Sequence, residues 1–396
     1  MERVIAIMLA FLLVLPFAGI NGGEVASTIY TNDILYVGGS GPGNYTSVQA
    51  AIDDAGDGVI VYVYPGTYEE RVIVNRSLSL LGVVEDGERP VIDGGGRDHA
   101  VDIFGDGCRF ANLTISNLGA GYRYVTVYMS SNRTVFEHVQ IETDGTSFVM
   151  DWWHSSDNVA TNCTVTGGGF MGWTLQDCHQ NLIADNNLSG NPGGAGIAFS
   201  YCDNNTIQNN RICNNFHGLT ASNFNYNIVT GNAICNTTQY GLGFSGNCNT
   251  VTGNLISASG RDGIRMGAHA SDNSIENNTL TNNGLSGITL LGDGTCTDNL
   301  IKRNVIAHNH EGIYLEWMCD HNTIEENDFI SNGNQAHFYL INHSCRNTWR
   351  GNYWSDHPSS FPRLIPGHIE RPYRYHRWWR VDWSPAPEPH GNITST

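Results

Sequence analysis

The sequence predicts an all-β protein built as a parallel β-helix, in which short strands wind into stacked coils. Three observations predict this architecture. Asn residues recur in two columns at intervals of 22–26 residues. Apolar residues follow the members of each column at fixed offsets. The chain contains 46 Gly but only 15% charged residues, below the roughly 25% of ordinary globular domains, which disfavours helical bundles.

The repeat has two Asn anchors that lie five residues apart. The first column comprises Asn181, Asn205, Asn227, Asn249, Asn273, Asn299, Asn322 and Asn347. The second comprises Asn186, Asn210, Asn232, Asn254, Asn278, Asn304, Asn327 and Asn352. Apolar residues follow each first anchor by two and seven positions, as Ile275 and Leu280 follow Asn273. A unit of this length without a helix cannot bury its own apolar face, so the units must stack as coils.

We expect the Asn columns to be structural rather than ligand-binding. Asn tolerates the left-handed turn conformation and bonds its own backbone. Stacked amides can also hydrogen-bond along the column, as they do in other stacked sheets.

Both ends of the solenoid need a cover, because an open terminal coil exposes core residues and strand edges. An amphipathic helix is predicted between residues 45 and 55, where Thr46 and Gln49 form a capping-box pattern. The aromatic and Pro-rich end of the chain is predicted to cover the other end or to pack along the side. The predicted divisions are a signal peptide (1–27), the cap and first coils (28–107), the repeats (108–355) and the tail (356–396).

The amino terminus indicates export. One base precedes an apolar run, Val4–Phe17, and small residues at 25–27 offer a cleavage site. The run is shorter than the roughly 20 residues of a membrane-spanning helix. We therefore expect a secreted or cell-surface protein, in a periplasm-equivalent compartment, with no stable membrane span after cleavage. The net charge of −18 argues against nucleic acid as a partner.

Ten cysteines fit an oxidising compartment. Three pairs occupy the same position in adjacent coils, where neighbouring Cα atoms lie about 4.8 Å apart, within the range of a disulfide. These candidate pairs are Cys213–Cys235, Cys178–Cys202 and Cys296–Cys319. The alternative is a stack of thiols that pack as small apolar groups.

Several segments resemble one known family. Residues Val37–Ile52, Val63–Val74 and Leu78–Gly82, together with the Asn repeats and Gly351–Asp356, are similar to NosD-like right-handed β-helix proteins. The resemblance implies a right-handed coil and export, in a family that is abundant in archaea. It also implies an association with carbohydrate binding or sugar hydrolysis, and its namesake is linked to copper delivery to nitrous oxide reductase. It supplies no catalytic motif that maps onto this chain residue by residue.

Motifs of enzymes that share this fold are incomplete here. The signatures of pectin methylesterases, polygalacturonases, C5-epimerases and pectate lyases are absent or scrambled. Asp151 and Glu316 are predicted in one outward column with Gln176, seven rungs or roughly 34 Å apart. Glycosidase carboxyls lie within about 5–9.5 Å of each other, so this column does not form such a pair.

Two clusters are candidate sites. Acidic, imidazole and aromatic side chains on adjacent rungs suit sugar stacking or acid–base chemistry, and such a group could also hold a cation such as calcium. These residues are Asp151, Trp152, Trp153, His154, Asp177, His179, Tyr201 and Asp203. The second cluster combines sulfur with imidazole, which suits copper(I). Its residues are Met318, Cys319, His321, His343 and Cys345. The alternative for the first cluster is a solvated turn. The alternative for the second is a disulfide, or buried thiols, beside unrelated surface histidines.

The favoured function is glycan binding or a structural role in the cell envelope, without catalysis and without a required cofactor. Its partner would be a polysaccharide or an envelope glycan or protein. The alternatives are a polysaccharide lyase or related carbohydrate-active enzyme, and a copper-delivery accessory.

Overall fold

The structure is a computed structural model that describes residues 34–119, 124–144, 148–168, 170–341, 346–371 and 374–390. These residues form a right-handed parallel β-helix, as predicted. The predicted signal peptide lies outside the described residues. No helix among the described residues is long and apolar enough to cross a membrane.

Three faces of parallel strands run along the solenoid. The first sheet contains Ile34–Val37, Val59–Val63, Leu78–Gly82, Arg109–Ala111, Val135–Glu137, Val159–Thr161, Leu182–Ala184, Thr206–Gln208, Ile228–Thr230, Thr250–Thr252, Ser274–Glu276, Leu300–Lys302, Thr323–Glu325 and Thr348–Arg350. The second sheet contains Val72–Val74, Val101–Ile103, Val125–Met129, Phe148–Trp153, Met171–Gln176, Ala195–Asp203, His217–Asn225, Leu242–Phe244, Ile264–Met266, Ser286–Thr297, Glu311–Asp320, Asn334–Ile341, Arg363–Arg371 and Arg374–Asp382.

The third face is divided into two sheets. The first part contains Thr67–Glu69, Val91–Asp93, Thr114–Ser116, Gln140–Glu142 and Thr164–Thr166. The second part contains Arg211–Cys213, Ala233–Cys235, Leu255–Ser257, Thr279–Thr281, Val305–Ala307, Asp328–Ile330 and Tyr353–Trp354. Single bridges through Asn187 to Thr164 and to Arg211 connect the two parts.

The predicted apolar positions form the core. Ile275 pairs in register with Val251 and Ile301, and all three side chains are buried. Leu280, on the third face, is stacked in the same way between Ile256 and Ile306. The repeat therefore specifies both the strands and the residues that they turn inward.

The Asn columns form continuous hydrogen-bonded ladders. The Nδ2 of Asn254 donates to Oδ1 of Asn278 at 2.9 Å and to the carbonyl of Val229 at 2.9 Å. Contrary to our expectation, the left-handed residue is not the ladder Asn but the residue before it, such as Asn277 before Asn278. The ladder side chains are buried, so their role is to satisfy backbone groups inside each turn.

A third column was not predicted. Asn283, Asn309 and Asn332 form one stretch of it, linked from amide to carbonyl at 2.9 and 3.0 Å. Asn191 and Asn215 form another stretch, linked at 3.0 Å. Between them the column holds Thr and Ser rather than Asn, which interrupts the pattern in the sequence.

The amino-terminal helix spans Val48–Asp54 and buries Val48, Ala51 and Ile52. The predicted capping box is wrong by one residue, because the N-cap is Ser47, whose hydroxyl accepts from the backbone of Ala50. The free amides of the first turn donate instead to the Glu70 carboxylate, at 2.7 Å from Val48 and 3.0 Å from Gln49.

The carboxyl-terminal tail both closes the core and extends a face. Its two strands form an antiparallel hairpin that adds to the second sheet. Asp382, which is fully buried, accepts hydrogen bonds from the backbone and side-chain amides of Asn352 and from the Trp354 indole. Asp382 thus terminates the second Asn ladder.

Candidate functional site

The predicted sugar-binding residues divide between the surface and the core. His154, Asp177 and His179 lie together at turns between the second and first sheets, and we call them the turn cluster. Asp177 bridges the two imidazoles, with Oδ2 at 2.7 Å from His154 Nδ1 and Oδ1 at 3.2 Å from His179 Nε2. The hydrogen bond from His154 holds the pKa of the Asp177 carboxyl below its usual value.

The rest of the predicted set is more scattered. His179 Nδ1 accepts from the backbone amide of Asp203 at 3.2 Å, whereas the Asp203 carboxylate accepts from Asn225. Tyr201 is exposed near the end of a second-sheet strand.

The prediction that Trp152 is a sugar-binding residue is wrong. Its side chain is 1% exposed and stacks on Trp173 inside the core, with ring centroids 6.0 Å apart. Alternation along the strand then directs Trp153 outward. Only one of the two adjacent tryptophans is therefore available to a ligand.

The predicted outward column is also wrong at its first member. Asp151 pairs with Thr174, and it is Trp153 that pairs with Gln176. Two outward columns consequently run side by side along the second sheet. One passes through Asp151 and Thr174 and the other through Trp153 and Gln176.

Asp151 and Trp153 are held together at the amino-terminal part of this face. The Trp153 indole donates to Asp151 Oδ2 at 2.8 Å, and the Thr174 hydroxyl donates to Oδ1 at 2.5 Å. Burial raises the pKa of Asp151 and outweighs the opposing effect of these two hydrogen bonds. The three side chains line a hollow of about 350 Å³ that also includes Phe148 and Ser200.

A second polar cluster, not predicted from the sequence, lies two coils earlier on the same face. Asp102, which is 1% exposed, accepts from Arg71 Nε at 2.7 Å and faces His99 Nδ1 at 2.7 Å. Burial opposes ionisation of Asp102, but the hydrogen bonds from His99 and Arg71 outweigh it and lower the pKa. The His99 ring lies 5.6 Å from that of Tyr128, which occupies the rung between Asp102 and Asp151.

Two more hollows continue the face toward the carboxyl end. The middle hollow, of about 610 Å³, shares Phe199 with the first and is lined by His217, Tyr240 and Arg265 among others. The last hollow, of about 370 Å³, shares Arg265 and contains Tyr314. The three hollows adjoin in sequence, and we call them together the axial groove.

The groove follows the stack of coils. Register pairing connects its rungs in the order Asp151, Thr174, Ala198, Thr220, Gly243, Arg265, Thr289, Tyr314 and His337. Eight steps of about 4.8 Å give a length of roughly 38 Å. Trp153, Tyr240 and Tyr314 place an aromatic ring in each third of the groove. Burial, with Glu316 and Glu311 adding to its effect, raises the pKa of Tyr314 and keeps its phenol neutral.

The described part of the predicted copper cluster does not form a ligand set. Met318 is 40% exposed, whereas Cys319 is buried and its thiol donates to the carbonyls of Leu290 and Glu316. His321 lies 3.5 Å from the carboxylate of Asp320. His343 and Cys345 lie outside the described residues. Within the described ranges, no group of three or more His, Cys, Asp or Glu side chains is arranged to hold a metal ion. Binding of copper or calcium therefore stays a prediction.

Of the three predicted cysteine pairs, one is a disulfide in the structure and two are not. Cys213 and Cys235 are joined by a disulfide between adjacent coils. Cys178 and Cys202 remain buried thiols, as do Cys296 and Cys319, although the latter two residues pair in register. Burial raises the pKa of the Cys319 thiol well above its usual value, which disfavours the reactive thiolate form.

Fold and surface together define a β-helix protein with a long groove on one sheet face. The sequence profile of the family described as periplasmic copper-binding protein (NosD) matches residues 97–250 and 242–359. These ranges cover more than half of the chain, and the chain belongs to this family. Among curated proteins, no sequence matches this chain significantly.

Solved structures are similar at the level of the fold. A variant of the periplasmic alginate epimerase AlgG is 15% identical, with a TM-score of 0.50, and the similarity covers 77% of this chain and 84% of that chain. The catalytic domain of a GH87 alpha-1,3-glucanase, in complex with nigerose, is 12% identical, with a TM-score of 0.56 and coverage of 82% and 69%. At these identities the likeness shows a shared fold and no more.

Proposed function

We propose that this protein binds an extended polysaccharide along the axial groove, outside the cytoplasm, and does not cleave it. The observation that carries the proposal is the continuity of the groove, because three adjoining hollows follow the stack of coils for roughly 38 Å. A linear polymer is the ligand whose shape matches such a site.

The chemistry of the groove favours sugars. Trp153 offers a ring face on which a pyranose ring can stack. The rings of Tyr240 and Tyr314 are stacked on His217 and His337, so these two tyrosines contribute phenol groups rather than free ring faces. Between them the outward columns carry small hydroxyl side chains, including Ser200, Ser222 and Ser245, which leave room for a chain of sugar units. Trp153 is fixed by its hydrogen bond to Asp151, so little side-chain entropy is lost on binding.

Two further observations support the proposal. The family is described as periplasmic, in agreement with the export predicted from the amino terminus. The fold is shared with an alginate epimerase and a glucanase, which act on polysaccharides.

The test is retention by a panel of neutral and acidic polysaccharides in affinity electrophoresis. We expect Trp153→Ala to weaken binding of the retained polymer about tenfold, because stacking on one ring contributes on the order of 1 kcal/mol beyond its buried area. Trp383→Ala is the matched control, because Trp383 is 73% exposed and lies in the tail. If both variants lose retention equally, or if neither variant loses it, the result contradicts binding in the groove.

The same experiment separates binding from catalysis. Samples of each polymer incubated with the protein are assayed for new reducing ends and for unsaturated products. The proposal predicts retention without either product. Product release that is abolished by Asp151→Asn would instead make the amino-terminal hollow an active site.

A further inference from the structure

The middle hollow differs from its neighbours in the ionisable side chains that line it. The chain carries a formal charge of −18, yet the lining contains no Asp or Glu among the residues whose side chains the structure describes. Its ionisable lining residues are instead Arg265, His217 and His269, besides the phenol of Tyr240. The neighbouring hollows both contain carboxylates, including Asp151 in one and Glu311 in the other.

The guanidinium of Arg265 is held in place before any ligand arrives. Its Nη1 donates to Asp262 at 3.1 Å, and Asp262 is itself buried and bonded to Thr289. Its Cζ lies 4.7 Å from the centroid of the Tyr240 ring, in a cation–π arrangement. Among the described residues Arg265 has no other hydrogen-bond partner, so its remaining N–H groups can serve a ligand.

The same Tyr240 ring also stacks on His217. The two ring centroids lie 5.2 Å apart, and the Nδ1 atom of His217 is buried without a partner among the described residues. Burial lowers the pKa of His217, which favours the neutral imidazole, with one donor and one acceptor nitrogen.

His269 completes the lining at the rim. It adopts a left-handed backbone conformation with φ of 60°. Its ring packs against Gly294, where a Cβ atom would lie only 2.6 Å from the ring. Glycine at this position therefore allows the His269 ring to sit at the edge of the hollow.

We infer that the middle hollow binds an anionic substituent of the polysaccharide, so that the ligand of the groove is an acidic glycan. The inference rests on the proposed function and specifies its substrate class. Arg265 supplies a charged, oriented donor pair, which suits the planar oxygens of a carboxylate. A sulfate ester would present similar oxygens to the same groups.

The test compares one polysaccharide in its charged form and in its uncharged, esterified form. Binding of the wild-type protein to polygalacturonate is measured against its fully methyl-esterified form, and a sulfated galactan forms a third arm. We expect at least about tenfold tighter binding to an anionic polymer than to the ester, the effect of one charge-assisted hydrogen bond. The preference should decline as salt is raised from about 50 to about 500 mM, since exposed charges are screened.

A pair of variants locates the effect. Arg265→Gln should bring the preference for the anionic polymer to within about twofold of none, whereas Arg109→Gln should leave it unchanged. Arg109 is an exposed first-sheet residue that pairs with Glu137 at 2.8 Å, away from the groove. An equal effect of the two substitutions overturns the assignment of the anion to the middle hollow.

The possible failures are distinguishable. Equal wild-type affinity for polygalacturonate and its ester, with the sulfated polymer no tighter, overturns the inference and leaves the groove as a site for neutral glycans. Absence of binding to every polymer overturns the proposed function as well. The ligand comparison needs no substitution, so a variant that folds poorly does not prevent a decision.

Discussion

Replacing a single ladder residue, Asn254→Ala, tests how the interior of the solenoid is stabilised. The Asn254 side chain takes part in five hydrogen bonds. Its Oδ1 accepts from both nitrogens of Asn232, at 2.9 Å each. Its Nδ2 donates to the carbonyls of Val229 and Thr252 and to Oδ1 of Asn278.

The structure gives the expected loss of unfolding free energy for Asn254→Ala. Alanine keeps the backbone bond to Asn278 but leaves the backbone amide of Asn232 and the carbonyl of Val229 without this partner. The Nδ2 of Asn232 is less affected, because it also donates to two other carbonyls. Each unsatisfied buried group costs about 1–3 kcal/mol, so two such groups predict a loss of roughly 2–6 kcal/mol. The sequence alone predicts a smaller loss than for a buried Ile.

The assay is denaturant unfolding, accompanied by hydrogen exchange of the coils between residues 227 and 280. Exchange resolves local opening, which matters because coils in a solenoid are stabilised mainly by their neighbours. Asn334→Ala is the control, because Asn334 is exposed at the start of a second-sheet strand, and we expect a change within about 0.5 kcal/mol. A loss below about 1 kcal/mol for Asn254→Ala would refute this account of the ladders.

Three further predictions concern the core, one acid and one disulfide. Ile275→Ala should lower the free energy of unfolding by about 2–5 kcal/mol, the usual cost for a buried Ile, and an unchanged midpoint would show that Ile275 is not packed. Because the folded pKa of Asp102 is lowered, its contribution to stability is present above the unfolded pKa of about 3.9 and is lost as the pH falls below it. The difference in unfolding midpoint between the wild type and Asp102→Asn should therefore narrow from pH 7 to about pH 2.5, and a constant difference contradicts the pairing. Non-reducing peptide maps should recover a Cys213–Cys235 peptide, and reduction should cost about 3 kcal/mol for a loop of this length; free alkylation of both thiols in native protein would contradict the bond.

The fold was predictable because every coil repeats the same requirement. An apolar side chain such as that of Ile275 recurs at a fixed distance from its Asn anchor, and in each coil this position faces the core. The third column was not recognised because Thr237 and Ser259 occupy two of its positions, so that it does not form a regular Asn repeat. The turns persist at these rungs although the hydroxyls of Thr237 and Ser259 have no hydrogen-bond partner among the described residues.

The candidate site was predicted less well, because the turns between coils differ in length. The predicted alignment of Asp151 with Gln176 assumes a coil of 25 residues, whereas the first column also contains Asn158, which lies 23 residues before Asn181 and donates to it from Nδ2 at 3.0 Å. Counting back five residues from Asn158 reaches Trp153, which is the true partner of Gln176. Counting from that anchor could have predicted which of the two adjacent tryptophans faces the core and which faces outward.

No repeat anchor in the sequence indicated that the side chains in the middle of the groove would meet. His217, Tyr240 and Arg265 lie on three successive coils. No short motif contains them. Their contact depends on the rotamers of long side chains and on register, which a pattern of apolar residues does not specify.

The central claim is that the axial groove is the ligand-binding surface, and hydroxyl-radical footprinting with a saturating polysaccharide tests it most directly. We predict that oxidation of Trp153, Tyr240 and Tyr314 falls when the polymer is bound. Oxidation of Tyr226 and Trp383, which are 61% and 73% exposed outside the groove, should not change. Protection of Tyr226 and Trp383 with no protection of the three groove residues would contradict the claim.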